Sequence, residues 1–194
     1  MTQWVESVGV GRARGPTGIV RAWIGVLVGP RQFFDRAVEP ADQAPGLIFF
    51  VSVVGIAEAS RYALQDEAVP TVAGQPLATV ALALFLTMLL IAPLGLHLLA
   101  ALQTVLLWPI TEDRGGVSET VQVLAYATAP CVFAGFPVPL LRVLCAGYGA
   151  GLLVVGLATV HDIDYHRAAV AGAIPATLVF GVAFRGFAAI GVLV

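Results

Sequence analysis

Glu58, Glu119, His97 and Arg185 are ionisable residues set inside, or at the edge of, long apolar stretches. In hydrocarbon such a group costs about 2.5–3.5 kcal/mol at mid-bilayer and less near the interface, so each is a functional candidate by default. The chemistry open to them is proton or ion movement, or charge pairing between helices. Glu58 and Arg61 are three apart and share a helix face, so they can pair. Glu58 is also the expected partner of Arg185, across the first and last apolar segments. A structural clasp is favoured there over an ion pathway. His97 lies one turn after Pro93 and is read as donating to a backbone carbonyl that the proline frees.

His161, Asp162, Asp164 and His166 resemble a metal cluster in composition, but their spacing matches no established ligand pattern, and a solvated loop is the preferred reading. Cys131 and Cys145 fit neither a zinc nor a redox pattern and are read as small buried residues rather than a disulfide. The sequence has no glycine-rich phosphate loop, no HExxH and no GxSxG; Gly115-Gly116 lacks the further glycines and the lysine of a nucleotide cradle. No catalytic residue, metal ligand or cofactor is assigned.

These side chains need a scaffold, and composition names its solvent. Of 194 residues, 59% are hydrophobic and 11% charged. Soluble domains carry about 25% charged residues, so lipid is the natural surrounding. The net charge of −2 implies no attraction to nucleic acid. All ten basic residues are arginine, which with much Ala, Val and Gly suggests a GC-rich prokaryotic or archaeal genome, and the acidic loops would suit a salty cytoplasm.

The expected fold is all-α, a polytopic membrane bundle of about five spans. Residues 1–43 form a cytoplasmic or interfacial segment and residues 44–194 the transmembrane domain. In the first segment, Ile19, Trp23, Val26 and Leu27 share one face of a short helix that could lie in the headgroup plane, with Phe33 and Phe34 anchoring a second interfacial turn. The spans cover about Pro45–Tyr62, Pro76–Leu107, Glu119–Phe136, Leu140–Val160 and Ala168–Val192, the last interrupted by Arg185. As a straight helix the second would be about 48 Å long against a hydrocarbon core of about 30 Å, and Pro93 predicts a kink. Ser118 is placed to cap the third span. Gly147-x-x-x-Gly151, Ala125 with Ala129, and Gly172 with Ala176 supply small faces, assigned to packing within the bundle ahead of a homo-oligomer. Arg12, Arg14, Arg21, Arg31, Arg36, Arg114 and Arg167 fall on one side and Arg61, Arg142 and Arg185 on the other. The excess places the N-terminus inside and the C-terminus outside.

The third polar turn and span read Gly115-Gly116-Val117-Ser118-Glu119-Thr120, then Val123 to Pro130 with Tyr126 and Pro130 four apart. This resembles the Yip family of membrane proteins, known in eukaryotes for interaction with Ypt/Rab GTPases. Trp23, Gly29-Pro30 and Phe33-Phe34 are similar to the family's opening Trp…Pro…Phe segment, and His161 with Arg167 to the polar loop before its last span. The likeness covers about residues 20–185. It implies a five-span bundle with a cytoplasmic N-terminus and a non-enzymatic role in membrane organisation or protein sorting. On that basis the chain is read as a multi-pass cell-membrane scaffold or adaptor with a membrane or cytoplasmic protein partner. The alternative is a small permease or channel component with Glu58, Arg185, His97 and Glu119 along its path.

Overall fold

The computed structural model describes residues 15–72, 74–111 and 115–194. Arg12, Arg14 and Arg114 lie outside the described residues. Among the described residues every regular element is helical. Four helices among the described residues are long and apolar enough to cross a membrane: α3 (Ala44–Leu64), α4 (Pro76–Leu107), α6 (Pro139–Val160) and α7 (Tyr165–Ala183). Around them lie α1 (Pro16–Val28), α2 (Pro30–Ala37), α5 (Val117–Ala127) and α8 (Gly186–Leu193).

Proline sets many of the starts. Pro16, Pro30, Pro45, Pro76 and Pro139 each stand in the first turn of a helix. There the missing N–H costs nothing and the fixed φ suits the helix. Within α4, Pro93 cannot donate to the carbonyl four residues back. The helix absorbs this in a π-helical turn at Thr87–Ile91, where the Ala92 N–H reaches back to the Thr87 carbonyl. α4 therefore continues through the proline to Leu107.

Tertiary bonds sort the loops into two ends of the bundle. At one, the Gly115 N–H donates to His161 Nδ1 at 3.0 Å, and Gln122 bonds the backbone of Glu39. At the other, Gln65 Nε2 donates to the Gly135 carbonyl at 2.7 Å, and Arg185 meets Glu58. These are called the His161 end and the Arg185 end.

The expected third span takes a different form. α5 stops at Ala127 and passes into a 3₁₀ turn, Ala129–Phe133, around Pro130. The segment still runs from the His161 end to the Arg185 end, but as a broken helix inside the bundle. Residues 120–131 are buried without a break. The neighbours approach it closely through glycines of their own: Gly46 of α3 lies against Gln122 and Gly156 of α6 against Val123. In lipid, where apolarity alone drives no helix association, close backbone approach of this kind holds a bundle together.

The last expected span also differs. α7 ends at Ala183, and Arg185 takes the left-handed conformation, φ 58° and ψ 31°. The chain then doubles back. Gly186 and Phe187 return against Phe180 and Gly181, and Ile190 faces the same apolar groove as Ala150 and Ala176. A side chain on Gly186 would place its Cβ 2.6 Å from the Phe180 carbonyl oxygen, so this reversal needs glycine next to Arg185.

The N-terminal helices dock on the bundle. Trp23 Nε1 donates to the Ala129 carbonyl at 2.8 Å, and the Tyr148 hydroxyl donates to the Leu27 carbonyl at 2.6 Å. Both partners lie well inside their segments, so α1 is level with the bundle's middle rather than its rim. Ala22 and Val26 form its buried face, while Val20, Ile24 and Val28 stay exposed. Phe33 and Phe34 are core residues, not surface anchors. Gly147 and Gly151 also depart from expectation: a Cβ on either would meet nothing within 4 Å, so the inner glycines of α6 are Gly149 and Gly156 instead.

Candidate functional site

Charged and polar side chains gather at the two ends of the bundle and along its buried centre. At the Arg185 end, Glu58 is the hub. Its Oε2 accepts from Arg61 Nη2 at 2.7 Å and Nε at 3.0 Å, and its Oε1 accepts from Arg185 Nη1 at 2.8 Å. The helix spacing of α3 supplies the first pair, and the left-handed turn after α7 delivers the second. Arg142, at the start of α6, donates from Nε to the Ala134 carbonyl at 3.0 Å and from Nη2 to the Phe136 carbonyl at 3.3 Å. It thereby holds the turn that leads out of the 3₁₀ segment. Gln65 holds the same turn from the α3 side through Gly135.

At the His161 end, His161 is buried against Gly115, not solvated as its loop position suggests. Accepting the Gly115 N–H requires an unprotonated Nδ1. Asp162 follows with φ 47° and turns the chain toward α7. Asp164 pairs loosely with Arg167 at 3.5 Å, both largely exposed. No group of three metal-ligating side chains converges among the described residues. Glu119 lies in the first turn of α5, where a carboxylate complements the helix dipole. Gly116 is the residue before that helix, so Ser118 is not its cap; the Ser118 hydroxyl is buried without a partner.

Between the ends, Tyr126 is the largest fully buried side chain. Its ring stands 4.9 Å from Phe33, edge to face, and 5.1 Å from Phe49. It therefore joins α2, α3 and α5 in one aromatic nest. Pro130, four residues on, stands in the first turn of the 3₁₀ segment that begins at Ala129. Gly115 and Gly116 at the head of the segment complete the motif, with Gly115 packed on the His161 ring. A Yip1 domain profile matches residues 24–185. The chain belongs to the Yip family. No curated protein and no solved structure matches it.

The structure brings Glu58 and Arg185 together but keeps the other candidates of this Yip protein apart. Glu119 and His97 join neither that pair nor each other. His97 Nδ1 bonds the carbonyl of Pro93 itself at 2.7 Å, within its own helix, and not the carbonyl the proline leaves without a donor. Cys131 and Cys145 are free, with the Cys131 thiol 3.9 Å from the Cys145 carbonyl.

Uncharged polar residues do more positioning than the charge pattern suggests. Gln122 Nε2 donates to the Glu39 carbonyl at 2.7 Å while its Oε1 accepts the Glu39 N–H at 3.2 Å. This pins the link between α2 and α3 to the core. Gln103 Nε2 donates to the Ala171 carbonyl at 3.1 Å and ties α4 to α7. Glutamine inside an apolar stretch is the available signal for both, since an interhelical partner is the ordinary way to keep an amide in hydrocarbon.

Proposed function

We propose that this Yip-family membrane protein is a non-enzymatic scaffold or adaptor of the cell membrane, with its His161 end facing the cytoplasm. The observation that carries this reading is the filled axis of the bundle. Twelve consecutive residues, 120–131, occupy it and are buried throughout. A permease needs a polar path that opens through its centre, and Glu58, His97, Glu119 and Arg185 do not line one here. At the His161 end, by contrast, Arg31, Gln32 and Asp35 of α2 face Asp162, Asp164 and Tyr165 across an open groove of about 660 Å³. A polar groove at one end of a packed bundle suits contact with a protein partner better than passage of a solute.

The test has two arms. A photocrosslinking residue placed at Arg31 or Tyr165 in native membranes is expected to capture one defined protein partner, and the same probe at Leu82 on α4 is not. Solute flux through reconstituted liposomes, abolished by Glu58→Gln, would favour the permease instead. Orientation is checked separately in a cysteine-free background. Thr71→Cys, in the loop between α3 and α4, is expected to react with an impermeant maleimide added outside intact cells; protection there with reaction at Gly116→Cys would invert the topology.

A further inference from the structure

Three arginines from three helical segments converge at the Arg185 end, and their one ion-paired carboxylate among the described residues is Glu58. Arg61 comes from the last turn of α3, Arg142 from the first turn of α6, and Arg185 from the reversal after α7. Asp66 and Glu67 lie beyond α3 on an exposed 3₁₀ turn and make no ion pair with any of the three.

The geometry fixes these groups before any ligand arrives. Arg142 is held by two backbone carbonyls, Arg61 by Glu58 and by the face of Tyr62 at 4.7 Å, and Arg185 by Glu58 and its left-handed backbone. Each guanidinium carries five N–H donors, and these bonds use only one or two of them. Arg185 remains 39% exposed and Arg61 16%. An excess of guanidinium charge, preorganised and within a turn of the ends of apolar helices long enough to span, is placed for a lipid headgroup to reach.

We propose that Arg61, Arg142 and Arg185 form a binding site for a phosphate-bearing anion, occupied in the membrane by the headgroup of an anionic phospholipid. The planar, multiply donating guanidinium is suited to phosphate oxygens. Glu58 serves the site by positioning Arg61 and Arg185 and leaves Arg142 to be neutralised by the ligand. Bound headgroup phosphate would also link the start of α6, through Arg142, to the pair that Glu58 makes between the ends of α3 and α7. Inorganic phosphate offers the same oxygens without an acyl anchor, so the two sources separate by experiment.

The test uses the full chain purified in a neutral detergent, with thermal unfolding followed as phosphatidylglycerol, phosphatidylcholine or inorganic phosphate is added. Phosphatidylglycerol is expected to raise Tm saturably, and phosphatidylcholine is not. The double substitution Arg142→Gln with Arg185→Gln should weaken the apparent affinity about tenfold or more, as loss of charged hydrogen bonds implies. Arg142→Lys, which keeps the charge but not the planar donor fork, should give an intermediate response, and a cooperative unfolding transition of the double variant without lipid shows that a loss is not simple unfolding. Arg167→Gln, at the opposite end, should leave it unchanged. An equal response to inorganic phosphate assigns the site to a soluble anion while keeping its chemistry. Equal stabilisation by phosphatidylcholine, or an undiminished response in the double variant, overturns the proposal.

Discussion

The first half of α4 and the centre of α5 are both apolar, yet they occupy opposite environments. From Pro76 to Ile91, α4 buries no residue; its buried contacts begin at Ala92. Leu77, Leu82, Phe85, Leu89 and Ile91 are exposed. Residues 120–131, by contrast, are buried without exception. The outer segment is rich in leucine. The inner one alternates Val and Ala with Thr, Gln and a single Tyr. Lipid tails solvate leucine as well as a protein core does, so hydrophobicity does not choose which helix goes inside. Small side chains and hydrogen-bonding groups make that choice, because they permit close approach and need partners.

If this contrast governs stability, substitutions should separate along it. The largest effect is expected for Tyr126→Ala, which empties the centre of the aromatic nest: a loss of about 3–5 kcal/mol or failure to fold, read as thermal unfolding in detergent. Gly186→Val is expected to cost about 1–3 kcal/mol, because its Cβ would press on the Phe180 carbonyl and the Ala146 methyl. Next comes Gln122→Leu, which removes two bonds to Glu39, at about 1–2 kcal/mol. It should also speed hydrogen exchange at the link between α2 and α3, while Gln103→Leu should leave that link unchanged. A double-mutant cycle of Glu58→Gln and Arg185→Gln should give a coupling energy of about 1 kcal/mol, modest because Arg185 is partly exposed. The smallest effect is assigned to Leu82→Ala on α4, within about 0.5 kcal/mol. A Leu82 effect as large as that of Tyr126 would erase the distinction between the two regions.

Apolar length and charge made much of this fold legible. The boundaries of α3, α4 and α6 fall within a few residues of those expected, because apolar runs bounded by proline and polar turns have one economical reading in lipid. The motif around Gly115, Gly116, Tyr126 and Pro130 carried the family, and Glu58 with Arg185 announced a pair by being the costly charges at one depth. What stayed hidden depends on distant neighbours. Nothing local in Glu119–Phe136 says that it sits inside the bundle and breaks at Thr128 rather than at Pro130. The reversal at Arg185 rests on a left-handed arginine, a conformation that sequence does not favour. Gly147 and Gly151 carried the spacing of a packing face, but in α6 the neighbours chose the other side, at Gly149 and Gly156. The burial of His161 likewise needs Gly115, 46 residues earlier in the chain.

The central claim, that 120–131 is sheltered while the first half of α4 meets lipid, is tested most directly by labelling the wild-type chain in bilayers. A lipophilic carbene precursor is activated by light, and labelled residues are mapped by mass spectrometry. Label is expected on α4 between Leu77 and Ile91 and absent from residues 120–131. Comparable labelling of both segments, or labelling of 120–131 alone, would contradict the account.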